Sequence, residues 1–201
     1  MDLLFSSVAL CSALLIWGSP GLTFDRGDRP AAQDTPVNFD AKTMAEFTAR
    51  MDEYAALNRK VAATLPKLSD SATPQEIDRH QRDLGARMAQ ARSGAKQGDL
   101  FTPSMQAVTR RLMERLFQNA TSRRQLRDSL MDDNPSPSQV RVAVNARYPD
   151  AVPLSTMPPE VLKNLPPLPK EVEYRFVSDT LILLDGGAHL VADFVPRALP
   201  R

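Results

Sequence analysis

The chain is poor in the residues that most often carry chemistry. Of its 201 residues one is Cys and one is Trp, and both, Cys11 and Trp17, fall in an apolar opening stretch. If that stretch is removed as a leader, no thiol remains, which excludes disulfides, thiolate metal sites and cysteine nucleophiles. Histidine is limited to His80 and His189. An excess of one charge is missing as well: 25 basic residues face 24 acidic ones, and Asp2 is among the latter. Nothing global therefore points to nucleic acid, and none is expected as a partner. A Gly-rich phosphate loop, a nucleophile elbow and a His-Glu helix pair are all absent from the sequence. No cofactor is expected.

What is present begins with the run Leu3 to Trp17, followed by Gly18-Ser19-Pro20-Gly21 and the charged Asp25-Arg26-Gly27-Asp28-Arg29. A short apolar helix followed by small residues is what an export signal requires. Cleavage after Gly21 leaves Gly and Ser19 at the positions where small side chains are wanted. The reading is residues 1–21 as signal peptide, with the protein exported, periplasmic or secreted. Asp2 departs from the pattern, because a basic residue is usual there. The run is shorter than the roughly 20 residues that span a bilayer, so a membrane enters only if the signal stays uncleaved.

Composition divides the remainder. Residues 22–38 hold Pro, Asp, Gly and Ala with little to bury, and are expected to form a flexible linker. Residues 39–133 are read as a helical region. Residues 134–201 form a Pro-rich and strand-bearing region, so the fold class is α+β.

In the helical region Met44, Phe47, Met51, Tyr54, Asn58, Val61, Leu65 and Leu68 recur at steps of three and four, one stripe of a helix. Asp40 stands as its N-cap, with Phe39 and Met44 placed for a hydrophobic staple. Thr73-Pro74-Gln75-Glu76 writes a second start, a capping box with Pro at the first helical position. Its stripe is Ile77, Gln81, Leu84, Met88, Ala91 and Ala95. Folded back antiparallel as a coiled-coil-like helical hairpin, the two stripes set Phe47 against Ala91, Met51 against Met88, and Asn58 against Gln81. The last pair would bond each other and fix register. Thr102-Pro103 starts a third helix, and Ser122 to Met131 a shorter fourth.

In the second region Val140, Val142 and Val144 alternate with polar or small residues, the pattern of a half-buried strand. Tyr148 to Pro169 is dense in Pro and should wrap the surface, with a turn or two of helix after Pro158-Pro159. Glu173 to Val177, Thr180 to Leu184 and Leu190 to Val195 read as three strands of an antiparallel sheet. Ser178-Asp179 and Gly186-Gly187 serve as turns, the glycines supplying positive φ. Leu181 to Leu184 lacks alternation, so both its faces should be covered.

The segment Leu165-Pro166-Pro167-Leu168-Pro169, Tyr174-Arg175-Phe176-Val177, Leu181-Ile182-Leu183-Leu184-Asp185 and Leu190-Val191-Ala192-Asp193-Phe194-Val195 resembles the small C-terminal β-hairpin of the periplasmic RcnB-type nickel/cobalt-homeostasis family. The mature chain as a whole, with its Asn145-Ala146-Arg147-Tyr148-Pro149 junction, resembles a group of uncharacterised exported bacterial proteins. Neither resemblance implies an activity here.

The residues that could form a site are few. Asp185, His189 and Asp193 lie about one tight turn, and imidazole with carboxylates is the usual ligand and acid/base set. His80 sits among Arg79 and Arg82 and reads as a surface residue. Asp132-Asp133-Asn134 opens like a calcium loop but lacks the later Gly and closing Glu. Five methionines, Met44, Met51, Met88, Met105 and Met113, read as core rather than as a binding groove. From Arg79 to Arg127 eleven basic residues face only Asp83, Asp99 and Glu114, a solvated face or one suited to an acidic or anionic partner. The functional expectation is an exported, non-enzymatic envelope protein acting as an interaction or structural module, its partner an unknown envelope protein or an anionic surface. The alternative is a metal-binding or hydrolytic protein with its site near His189.

Overall fold

The structure is a computed structural model that describes residues 36–118, 124–125, 128–130, 134–136 and 138–200, with side chains from Phe39 onward. The expected signal peptide, nearly all of the linker and Asp132-Asp133 lie outside the described residues. Among the described residues the continuous elements follow in the order α1 Pro36–Ala62, α2 Pro74–Ala91, α3 Pro103–Leu116, α4 Pro159–Leu162, β1 Val172–Val177, β2 Thr180–Asp185 and β3 Leu190–Val195. The fold is α+β, as the sequence suggests. Of the expected fourth helix, Ser122 to Met131, the described residues 124, 125 and 128–130 are helical, and Leu130 is buried.

Local chemistry sets the helix starts. Thr73 accepts from the Glu76 N–H at 3.3 Å while Glu76 takes the Thr73 N–H at 2.7 Å, closing the capping box around Pro74. Thr102 caps α3 in the same way, accepting from the Met105 N–H. The first start differs from expectation. α1 begins at Pro36, inside the segment read as linker, because Pro lacks the N–H that a first turn leaves unused. Asp40 is therefore within the helix rather than capping it, and it pairs with Arg111 of α3 at 2.6 Å. Phe39 stays exposed.

The sheet is antiparallel in the order β1-β2-β3, with Val177 opposite Thr180 and Asp185 opposite Leu190. β2 is central and hence buried on both sides. On one face Tyr174, Phe176, Leu181, Leu183, Leu190 and Ala192 share a core with Phe47, Met51, Leu84, Met88, Phe101 and Met105 of the helical region. On the other, Val177, Ile182, Leu184 and Val191 meet Val140 and Tyr148 of the Pro-rich segment. Each aliphatic side chain so buried contributes about 1.5–3 kcal/mol relative to exposure. The unbroken apolar run of β2 thus has the covering on both faces that it called for.

The helical hairpin is not the coiled-coil seam expected. Asn58 donates to Asp185 at 2.6 Å, and Gln81 reaches the carbonyl of Gly186 at 3.5 Å, so the two amides meet neighbouring residues of the β2–β3 turn instead of each other. The turn lies directly on α2: a Cβ added to Gly85 would stand 2.7 Å from the Ala188 carbonyl oxygen. Phe47 stacks on Phe101 with centroids 5.1 Å apart, not on Ala91, which is exposed. Leu68 and Ile77, at the ends of the two stripes, are 41% and 49% exposed because the shared core stops short of them.

Two further expectations fail nearby. Val140 to Val144 is turn and irregular backbone, not a strand. Asn145 at φ 60° interrupts extension, and pairing with β3 falls later, in a single bridge between Arg147 and Leu190. In the β2–β3 turn, positive φ is taken by His189 at 52°, not by Gly186 or Gly187. At Gly187 a Cβ would stand 3.5 Å from Leu84, an ordinary van der Waals contact, so neither backbone conformation nor packing demands glycine there.

Candidate functional site

Asp185 ends β2 and is fully buried. Its Oδ2 accepts from the Tyr54 hydroxyl at 2.7 Å and the Asn58 amide at 2.6 Å, and its Oδ1 accepts from the Ala188 N–H at 2.8 Å. Two donors from adjacent turns of α1 and one from the hairpin turn thus satisfy both oxygens. Burial, with the Asp185 charge and hydrogen bond added, raises the Tyr54 hydroxyl far above the ordinary tyrosine range, against the opposing pull of Arg92. Tyr54 therefore stays a proton donor to the carboxylate. Arg92 lies over the Tyr54 ring at 4.9 Å. It also bonds the Asn145 side chain and the Ala192 carbonyl.

Asp193, also fully buried, projects from β3 into the loop between α2 and α3. Its carboxylate accepts from the N–H groups of Gly98, Leu100, Phe101 and Phe194 at 2.8–3.2 Å. Successive backbone donors wrapped about an anion form a nest, here occupied by the protein's own side chain.

His189 goes elsewhere. Its Nδ1 meets Asp150 at 2.9 Å and its ring lies 5.7 Å from that of Tyr148. Asp150 is the centre of a surface cluster: Arg147 reaches Oδ1 at 2.7 Å and Arg82 reaches Oδ2 at 2.7 Å. Arg82 also grips Asp78, and Arg147 bonds Gln81. Burial acts to raise the Asp150 carboxyl, but the hydrogen bond from His189 and the charges of Arg147 and Arg82 outweigh it and hold it below the usual aspartate range. One exposed carboxylate thereby ties α2, the Pro-rich segment and the β2–β3 turn together.

The structure thus does not bring Asp185, His189 and Asp193 into one site. Two are consumed by internal donors, and the third pairs with a carboxylate that the sequence had not singled out. Among the described residues no three His, Cys, Asp or Glu side chains stand where they could hold a metal ion. The His189–Asp150 contact has the form in which a carboxylate orients an imidazole base. Here, however, two guanidinium groups share that carboxylate.

The other candidates resolve similarly. Met51, Met88, Met105 and Met113 are core. His80 borders a cleft of about 320 Å³ at the α1–α2 turn with Pro66, Leu68 and Arg79. Part of the basic stretch is engaged within the fold: Arg82, Arg92, Arg110 and Arg111 each bond another segment of the chain. Asn134 bonds the Ser178 backbone through both ends of its amide. Arg92 and Asp150, which organise these contacts, carried no local signal, and Tyr54 was marked only as a residue of the α1 stripe, since their partners are distant in the chain. No helix among the described residues is long and apolar enough to cross a membrane. No family model, curated protein or solved structure matches the chain.

Proposed function

We propose that the protein is an exported, non-enzymatic envelope protein that acts as an interaction or structural module, its helical layer meeting an envelope protein or an anionic surface. The observation that carries this reading is the covering of the sheet. Helices close one face together with Met157, Val161 and Leu165 of the Pro-rich segment, and Val140 and Tyr148 close the other, so the sheet serves as a platform and the outward surfaces belong to its coverings. A second support is that Asp185 and Asp193, the acidic candidates for chemistry, are engaged by internal donors. Export rests on the apolar run Leu3 to Trp17 and the small residues after it.

The test combines fractionation with crosslinking in intact cells. The protein is expected in the exported fraction with a mature end near Leu22, and a photoreactive residue at Ile77 is expected to capture one recurring envelope species. Retention in the cytoplasm would overturn export. If His189→Ala removed the protein's cellular effect while its circular dichroism and crosslinking stayed unchanged, the metal-binding or hydrolytic reading near His189 would replace the interaction module.

A further inference from the structure

We draw no further inference here: the strongest candidate, the cleft at the α1–α2 turn lined by Pro66, Leu68, Ala72, Arg79 and His80, carries nothing because its mixed charges select no partner chemistry and nothing in the structure shows what covers it.

Discussion

Asp193 makes the strongest single prediction. Replacing it with Ala removes the anion about which the loop from Gly98 to Phe101 is folded, and strands four backbone donors. They are not equivalent. Gly98 and Phe194 are part-exposed and can turn to water, whereas the Leu100 and Phe101 bonds are buried. A buried donor left without a partner costs about 1–3 kcal/mol, so two of them amount to roughly 4 kcal/mol. In a fold with about 5–15 kcal/mol of total stability that is a large fraction. At this size of domain it lowers Tm by roughly 8–16 °C. Asp193→Asn keeps one acceptor oxygen but turns an N–H₂ toward other donors, and should fall between the two, near ~2 kcal/mol.

The assays are thermal and urea unfolding followed by far-UV circular dichroism, with amide hydrogen exchange read residue by residue. Exchange supplies the specificity: protection at Leu100 and Phe101 should drop by more than the global loss accounts for, because these amides would open locally. If Asp193→Ala cost under ~1 kcal/mol while both amides remained protected, the carboxylate would not be what organises the loop.

Other substitutions test the remaining contacts. Gly85→Ala places a Cβ 2.7 Å from the Ala188 carbonyl oxygen, whereas nothing lies within 4 Å of a Cβ at Gly94. The first should lose about 1–2 kcal/mol after the helix-propensity gain is deducted, and Gly94→Ala should stay within ~0.5. Equal effects in urea unfolding would deny that the β2–β3 turn presses on α2. Tyr54→Phe and Asn58→Ala each remove a donor to the same Asp185 oxygen and should each cost about 1–3 kcal/mol. Their double mutant should depart from the sum, and strict additivity would argue against a shared acceptor. Asp150 has a carboxyl held below its unfolded value, so its contribution is present above the unfolded pKa of about 3.9 and is lost as pH falls through the lower folded value. With the side chain 43% exposed, solvent screening keeps the effect under ~1 kcal/mol. The stability gap between wild type and Asp150→Asn should close on acidification, and a gap that widened would reverse the sign assigned to the cluster.

Which features could be read from the chain follows from how far apart the partners lie. Thr73 and Glu76, or Thr102 and Pro103, settle a helix start within four residues, and both starts stand where those residues put them. Leu181 to Leu184 declares its two-sided burial by lacking a polar side, again a local property. Periodicity, in contrast, marks the face of a helix that will be buried without saying what buries it. Asn58 was correctly placed on the inner face of α1, but its acceptor is 127 positions away, and a polar residue among apolar ones reads the same whether a second helix or a hairpin turn lies opposite. The assignment of Asn58 to Gln81 failed there.

The acidic residues mislead for a related reason. Beside His189, Asp185 and Asp193 look like ligands, because a carboxylate near an imidazole is what a site requires. A buried carboxylate has another use, however, where a loop or turn leaves backbone N–H groups without partners. Asp193 is 93 positions from Leu100, so the need it meets is invisible in its own neighbourhood. The order of the strands then explains why both acids are needed. β2 is central and its two flanking strands are joined to it by short turns, so the helices must bring their own loose ends, the inner polar turn of α1 and the loop before α3, down onto the hairpin. Asp185 receives the first and Asp193 the second. The two carboxylates that most resemble chemistry in the sequence are therefore polar attachment points of the helical layer on the hairpin.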